Sequence, residues 1–456
     1  MDAPAAAPAP RAALALAVVC AGAMLGPLDT SVNIAFPAIT AAFALAPRDI
    51  QWVVLAFVLA QSSLAIVFGR LGDLHGHRRV FALGMVACAL THAAAGFAPD
   101  YATLVGLRAL QGIAVGVAIA CGPALAASLY PERDKRRVLS IYASAFGAGL
   151  AIGPLAGGWL VDALGWPGVF WFRAPLALAV LLALPLLPGG ARVVGAPASA
   201  RFDAPGAALL AAALVGASVF VIALTQPGVP AAARAVAAAA SVALVVAFVR
   251  HARRSPAPVM RVEPFAQPRF AALQAGSVLI NLACFSILLL VPYVLVAWPA
   301  TSTSGAGVVL AAYPAGSLAG SAAAGRFASA RTSSSVLALG GIAAAGLGLL
   351  ATAACLPWQA PAALAAALAL AGAGLGVFQV GYLDATTSML PPAERGVAGS
   401  LVSVTRLLGI VLGVTGIGVL AAALGDVPAT VAAAGAGLVA CAAGGAAARS
   451  LAARRR

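Results

Sequence analysis

Apolar residues along this chain come in runs of about 20, the length a helix needs to cross a hydrocarbon core. Charges, Pro/Gly pairs and polar clusters cut the runs. Cutting there predicts about fourteen spans, near 12–36, 49–69, 80–98, 101–125, 138–162, 166–188, 205–225, 231–250, 270–297, 304–325, 334–356, 360–384, 397–423 and 428–448. The seventh and eighth are Ala-rich and joined by TQPGVPAA. The first run continues for about 25 residues from Ala12, against about 7 to 15 in a cleaved leader, so it reads as a spanning helix with nothing N-terminal removed. The predicted fold class is all-α integral membrane.

Composition agrees with the pattern: 62% of the 456 residues are hydrophobic and 9% are charged, against about a quarter charged in soluble proteins. The net charge of +14 raises a nucleic-acid partner, but the arginines sit between apolar runs and form no surface stripe, so we expect none. Read as topology, they fall on one side. With the N-terminus inside, the cytoplasmic segments collect Arg70, Arg78 and Arg79, Arg133 to Arg137, Arg192 and Arg201, Arg250 to Arg269, Arg326, Arg331, Arg395 and the C-terminal arginines, while the opposite loops hold little more than Arg48 and Arg234. Missing one helix would scatter them, so the asymmetry also checks the span count. Both termini are expected in the cytoplasm, at a bacterial inner membrane. All six cysteines lie in apolar runs and are expected as free thiols.

The longest polar connections, Gly189 to Ala204 and His251 to Arg269, bracket spans seven and eight. They divide the chain into a six-helix bundle (1–188), two inserted helices with their flanking loops (189–269), and a second six-helix bundle with a basic tail (270–456). A worn repeat supports the division: GRLGDLHGHRR after span two has a counterpart in GRFASAR (Gly325 to Arg331) after span ten.

Ionisable groups at membrane depth cost about 2.5–3.5 kcal/mol each, so each asks for a reason. Asp29, Arg108 and Arg173 all fall roughly 10 Å below the outer surface at 1.5 Å per residue. Asp29 thus has two candidate basic partners, either as a proton-exchanging acid or as a fixed ion pair. Asn33, four residues on, shares its face. Arg406 sits mid-span and Asp384 near the inner end of span twelve, where it either snorkels or functions. Gln61, Gln111, Asn281, Gln379 and Tyr382 either line a pocket or bond a neighbouring helix. His92 reads as a packed histidine, and His75 and His77 as solvated. No HExxH, P-loop or GxSxG occurs, and GAGLGVF near Gly372 follows no strand, so we expect no metal, cofactor or catalytic cluster.

GAGLAIGPLAGGWL (Gly147 to Leu160) carries Gly149, Gly153 and Gly157 four apart, on one helical face. Pro154 removes a backbone donor where the side chains are smallest. The stretch reads as a hinge and seal between two helices.

Together these segments resemble the major facilitator superfamily and, within it, the fourteen-helix drug:proton antiporters. GRLGDLHGHRR, with Gly69, Gly72, Asp73, Gly76, Arg78 and Arg79, is similar to the loop motif of that superfamily, and the resemblance implies a cytoplasmic charge latch. LVGLRALQG resembles the fourth-helix motif and implies a proton-linked role for Arg108, with Gln111 and Gly112 beside it. Gly149, Gly153, Pro154, Gly157 and Gly158 match the antiporter motif of helix five, associated with exporters. FDAPGAALL and TRLLG also resemble fourteen-helix members. Three departures stand out: LDTSVNIAFP is one residue shorter between Asp29 and Asn33 than the family motif, Arg173 stands where relatives usually carry asparagine, and Asp384 belongs to none of the family's motifs.

The resemblance implies two six-helix bundles plus two inserted helices, working as a monomeric proton-coupled exporter of a small amphipathic compound by alternating access. Protons are the coupling ion and the bilayer the other partner. Asp29, Arg108 and Asp384 are the expected proton-coupling residues; Asn33, Gln61, Gln111, Asn281, Gln379 and Tyr382 the expected pocket; Arg173 and Arg406 further buried charges. The alternatives are a dedicated exporter of one endogenous metabolite and, remotely, a membrane sensor or enzyme on the same scaffold.

Overall fold

A computed structural model describes residues 10–46, 49–131, 134–186, 203–225, 228–256, 258, 262–299, 301–327, 333–389, 405–406, 408–414, 416–417, 420, 424–425 and 427–454. The described residues are helical throughout, without a strand. In order the helices are α1 (Pro10–Met24), a 3-10 turn at Pro27–Thr30, α2 (Ser31–Ile34), α3 (Phe36–Ala42), α4 (Gln51–His75), α5 (His77–Ala95), α6 (Tyr101–Ser128), α7 (Lys135–Leu164), α8 (Gly168–Trp171) and α9 (Arg173–Ala183). There follow α10 (Ala204–Thr225), α11 (Ala231–Arg254), α12 (Pro268–Ala297), α13 (Thr303–Phe327), α14 (Ser334–Cys355), α15 (Pro361–Met389) and the C-terminal helix Val427–Arg454.

Among the described residues, eleven helices are long and apolar enough to cross a membrane. The helix pair α4 and α5 occupies the segments where spans two and three are expected, and the described part of α4 includes the shorter apolar helix Gln51–Gln61. Large apolar side chains face outward around the molecule, including Leu83, Leu90, Trp159 and Leu182 at 64–71% exposure. An exposed apolar band of this kind is what lipid covers. The protein is a multi-pass integral membrane protein.

Local chemistry sets the helix ends. Asp100 caps α6, its carboxylate accepting the Thr103 N–H at 2.8 Å. Gly76, at φ +91°, separates α4 from α5 in a conformation that side chains with a Cβ rarely adopt. The first span is broken: α1 stops before Gly26-Pro27, a 3-10 turn carries Asp29, and helix resumes at Ser31. The prolines Pro27 and Pro37 each lie at the first or second position of a new segment, where the missing N–H costs nothing.

Three apolar cores hold the helices. One, with Val19, Phe81, Met85 and Val115, lies among the helices up to α9. Another, with Ile280, Leu349, Leu368 and Phe378, lies among those from α12 on. The third joins them, bringing Phe36 and Val53 together with Phe285, Leu289 and, from α10, Leu210. Glycine allows the closest backbone approaches: a Cβ on Gly348 would lie 2.8 Å from that of Ala371 across α14 and α15. Helix α11 is the most peripheral, with Val236 and Val242 largely exposed. It is tied to α10 by the His251–Asp203 contact at 2.5 Å and by Arg234 Nε donating to the Ala223 carbonyl at 3.1 Å.

Candidate functional site

The break in the first span places Asp29 in the protein interior beside α6 and the start of α9. Arg108 donates to it twice, Nη1 to Oδ1 and Nη2 to Oδ2, both at 2.7 Å. Arg173 donates from Nη1 to Oδ1 at 2.6 Å. Both arginines are fully buried, and Asp29 keeps 16% exposure. Both basic partners expected for Asp29 therefore bond it, Arg173 included. Two guanidinium groups around one carboxylate give the cluster an excess positive charge, and the fork geometry fixes the carboxylate plane.

Neighbouring groups hold the arginines in place. Arg108 Nε donates to the Val53 carbonyl at 2.9 Å and Nη1 to Gln111 Oε1 at 2.9 Å, while Gln111 Nε2 donates to the Thr91 carbonyl at 3.1 Å. The Arg108 guanidinium lies over the Phe57 ring, 4.3 Å from its centroid. Arg173 Nε donates to the Val169 carbonyl at 3.2 Å, and its Nη2 is buried without a hydrogen-bond partner. His92 is fully buried, with Nδ1 2.7 Å from the Cys88 carbonyl and Nε2 unpartnered. Gln111, expected either to line a pocket or to bond a neighbouring helix, bonds Arg108 and the Thr91 carbonyl of α5.

The glycine face of α7 packs on the broken segment that carries Asp29. A Cβ on Gly149 would lie 2.8 Å from Pro27 Cγ, one on Gly153 would overlap Thr30 Oγ1, and one on Gly157 would lie 2.7 Å from the Ser31 carbonyl oxygen. Thr30 Oγ1 lies 2.9 Å from the Pro27 carbonyl and 3.2 Å from that of Leu150. The helix continues through Pro154 as a single element. Its next face meets α13, where a Cβ on Gly158 would lie 2.5 Å from the Thr303 carbonyl oxygen, and one on Gly307 would overlap the Pro154 carbonyl. One turn beyond Gly158, Asp162 accepts the Thr303 and Ser304 N–H groups at 3.2 and 2.7 Å, capping α13 from the other half of the chain. Thr40 and Tyr293 hydroxyls lie 2.8 Å apart and also join the two halves. The Asp162 cap went unread in the sequence, although its four-residue spacing from Gly158 puts it on the same face.

Other expected residues lie elsewhere. Asp384 is exposed and accepts a hydrogen bond from Ser334 on α14, and no contact joins it to Asp29 among the described residues. Asn281 Nδ2 donates to the Ser277 carbonyl at 2.8 Å, and the buried Tyr382 donates to Gln274 Oε1 at 2.5 Å. Asn33, Gln61 and Gln379 are half-buried. In the loop motif, Arg78 Nη2 donates to the Leu184 carbonyl at 3.0 Å at the end of the sixth span, Arg79 is exposed, and Gly72 packs against His77 and Cys121. The Asp73 side chain and the surroundings of Gly69 fall outside the described residues. Among the described residues no group of three or more His, Cys, Asp or Glu side chains gathers to hold a metal.

Two sets of spanning helices joined across a glycine contact, with a charged cluster inside one set, define a membrane transporter scaffold. The chain matches the model of the Major Facilitator Superfamily over residues 13–414 and belongs to that family. It is 32% identical over 423 residues to "Puromycin resistance protein pur8" of Streptomyces alboniger, covering 89% of this chain and 81% of that protein. It is 28% identical over 435 residues to "Probable actinorhodin transporter" of Streptomyces coelicolor, covering 92% and 74%. Among solved structures it resembles a POT family transporter crystallised with 5-aminolevulinic acid, at TM-score 0.70 and 13% identity over 94% of each chain, a likeness of fold alone.

Proposed function

We propose that this protein is a proton-coupled antiporter of the fourteen-helix type, exporting small amphipathic compounds across a bacterial inner membrane with both termini in the cytoplasm. Residues 1–188 and 270–456 would form the two moving six-helix bundles, and 189–269 the inserted pair. The observation that carries this reading is the Asp29 carboxylate held by Arg108 and Arg173 directly beneath the glycine face of α7. Protonation of Asp29 removes the charge that both guanidinium groups bond. The broken first span is then free to shift against Gly149, Gly153 and Gly157, and α7 transmits that shift to α13 through Gly158, Gly307 and Asp162. The printed names of the relatives, one a resistance protein and one a transporter, support export. Asp384 would serve as a second proton site near the inner surface, and Asp73 with Arg78 and Arg79 as the inner latch.

A second reading, a dedicated exporter of one metabolite, is favoured by the fact that each of these relatives is named for a single antibiotic. Expression in an efflux-deficient host separates the two: resistance to many unrelated compounds supports the first, and resistance to one the second. Coupling is tested in proteoliposomes with an imposed pH gradient. Asp29→Asn is expected to abolish gradient-driven transport while leaving expression intact, and undiminished transport refutes the assignment.

A further inference from the structure

Between α5 and α9 two buried groups lack partners, and each offers what the other needs. His92 Nδ1 lies 2.7 Å from the Cys88 carbonyl, which can only accept, so Nδ1 carries the ring proton and the neutral imidazole keeps a lone pair at Nε2. That nitrogen has no hydrogen-bond partner, and neither has the donor Arg173 Nη2. Both side chains are fully buried. Buried polar atoms are seldom left so, and each one asks for an explanation.

The packing of the two helices sets His92 level with Arg173. They run antiparallel, and contacts at both ends fix their register. Near the start of α5, Arg78 Nη2 donates at 3.0 Å to the carbonyl of Leu184, just past the end of α9. Beyond the other end of α5, Gly96 packs against the Trp171 indole, and the Phe97 and Trp171 rings lie 4.9 Å apart. Between these contacts Phe81, Met85 and Cys88 share one core with Ala177, Val180 and Leu184. One turn beyond Cys88 on α5 stands His92, and one turn before Ala177 on α9 stands Arg173. Of the charges that act on His92, that of Arg173 is the strongest, ahead of Asp29 and Arg108.

Neutralising Asp29 gives this pair a use. A protonated carboxyl group offers one good acceptor to two guanidinium groups. Arg108 keeps two others, the Val53 carbonyl and Gln111 Oε1, whereas Arg173 keeps only the Val169 carbonyl at its Nε. The Phe170 and Phe172 rings, 5.7 and 5.9 Å from the Arg173 guanidinium carbon, supply no such acceptor. A buried guanidinium without acceptors is costly, so Arg173 is the one to let go, and it needs another partner. We propose that His92 is that partner: when Asp29 takes up a proton, Arg173 leaves it and Nη2 donates to His92 Nε2. His92 is thus a positioning residue, which gives the second arginine an acceptor in the protonated state and so lets Asp29 exchange its proton. This inference rests on the proton-exchange reading of Asp29, and its test separates the two.

Nitrogen NMR of the full chain in liposomes, labelled at histidine and held at an alkaline pH where imidazoles are neutral, reads the bond. The chain has four histidines, so the His92 signals are assigned by their loss in His92→Gln. In the wild type Nε2 is expected to resonate as an unbonded lone-pair nitrogen. In Asp29→Asn, which is neutral and offers one acceptor as the protonated acid does, it is expected to move to lower chemical shift. Adding Arg173→Gln should return it. No movement in Asp29→Asn, or movement that survives Arg173→Gln, overturns the proposal. Transport is the second measure, and it decides if the double variant does not fold. Gradient-driven transport of the amphipathic dye rhodamine 123 in proteoliposomes should fall about tenfold to a hundredfold in His92→Leu, as loss of a hydrogen bond to a charged group does. It should recover in His92→Gln, whose amide oxygen accepts in place of Nε2. Equal rates in these two variants overturn the proposal as well. Movement of the Nε2 signal without transport by the wild type would leave the His92–Arg173 exchange standing and remove the exporter reading; transport without that movement would do the reverse.

Discussion

Gly153→Ala adds one methyl group at the tightest point between α7 and the segment carrying Asp29. The new Cβ would overlap Thr30 Oγ1 and lie 3.2 Å from both the Thr30 Cβ and the Ser31 nitrogen, so backbone as well as side chain must give way. Overpacking of this kind costs about 1–3 kcal/mol, and losing the Thr30 hydroxyl contact to the Leu150 carbonyl adds about 1 kcal/mol. Helix propensity offsets roughly 1 kcal/mol, because alanine is the better helix former. The net loss is therefore about 1–3 kcal/mol, and Gly153→Leu should lose more. Since Thr30 adjoins Asp29, displacement also disturbs the 2.6–2.7 Å contacts to Arg108 and Arg173, so transport should fall before membrane insertion does. Gly340→Ala is the control: nothing lies within 4 Å of its added Cβ, and the propensity gain stands alone. Thermal unfolding in detergent, paired with gradient-driven dye transport, reads both effects. If Gly153→Ala unfolds no earlier than Gly340→Ala and transports normally, the close packing of α7 on the first span is refuted.

Asp162→Ala removes the acceptor for two N–H groups at the start of α13. A lost helix cap costs about 1 kcal/mol, so the closed contact between the two halves should weaken about fivefold, seen as a longer distance population between spin labels at Ala163 and Ser302. An unchanged distribution would show that the cap does not hold that contact. Asp100 caps α6 outside the membrane, and the Thr103 backbone N–H that it accepts lowers its pKa. A carboxylate lowered on folding stabilises the folded state above the ordinary range near pH 4, and that contribution is lost as pH falls through the folded value. Asp100→Ala should accordingly unfold earlier than wild type at pH 7, with the difference vanishing in acid; a gap that is the same at both pH values would exclude the cap as its source.

Much of the helix plan could be read from the chain in advance. The expected spans 101–125, 138–162 and 270–297 correspond to α6, α7 and α12, because run length and the charges that end each run depend on the bilayer and not on neighbours. The depth estimate that put Asp29, Arg108 and Arg173 at one level also needed only the helical rise. What a linear reading could not supply was direction around each helix. Gln111 and Tyr382 looked alike as intramembrane polar groups, yet one braces Arg108 and the other joins the Gln274–Thr405 network. The break at Pro27 does carry a local signal, the Gly26-Pro27 pair followed by Asp29, Thr30 and Ser31, but run length alone reads through it.

The sequence by itself determined the class of molecule and where its long apolar helices lie, because solvation in lipid acts on each segment separately. Pairing was decided only in three dimensions. Asp29 could have bonded either arginine, or neither; that it bonds both follows from how the broken first span seats α6 and α9 around one carboxylate. The same holds for the two faces of α7, one against the first span and the other against α13. Contacts between helices depend on rotation and register, and those are set by the packing of the whole assembly.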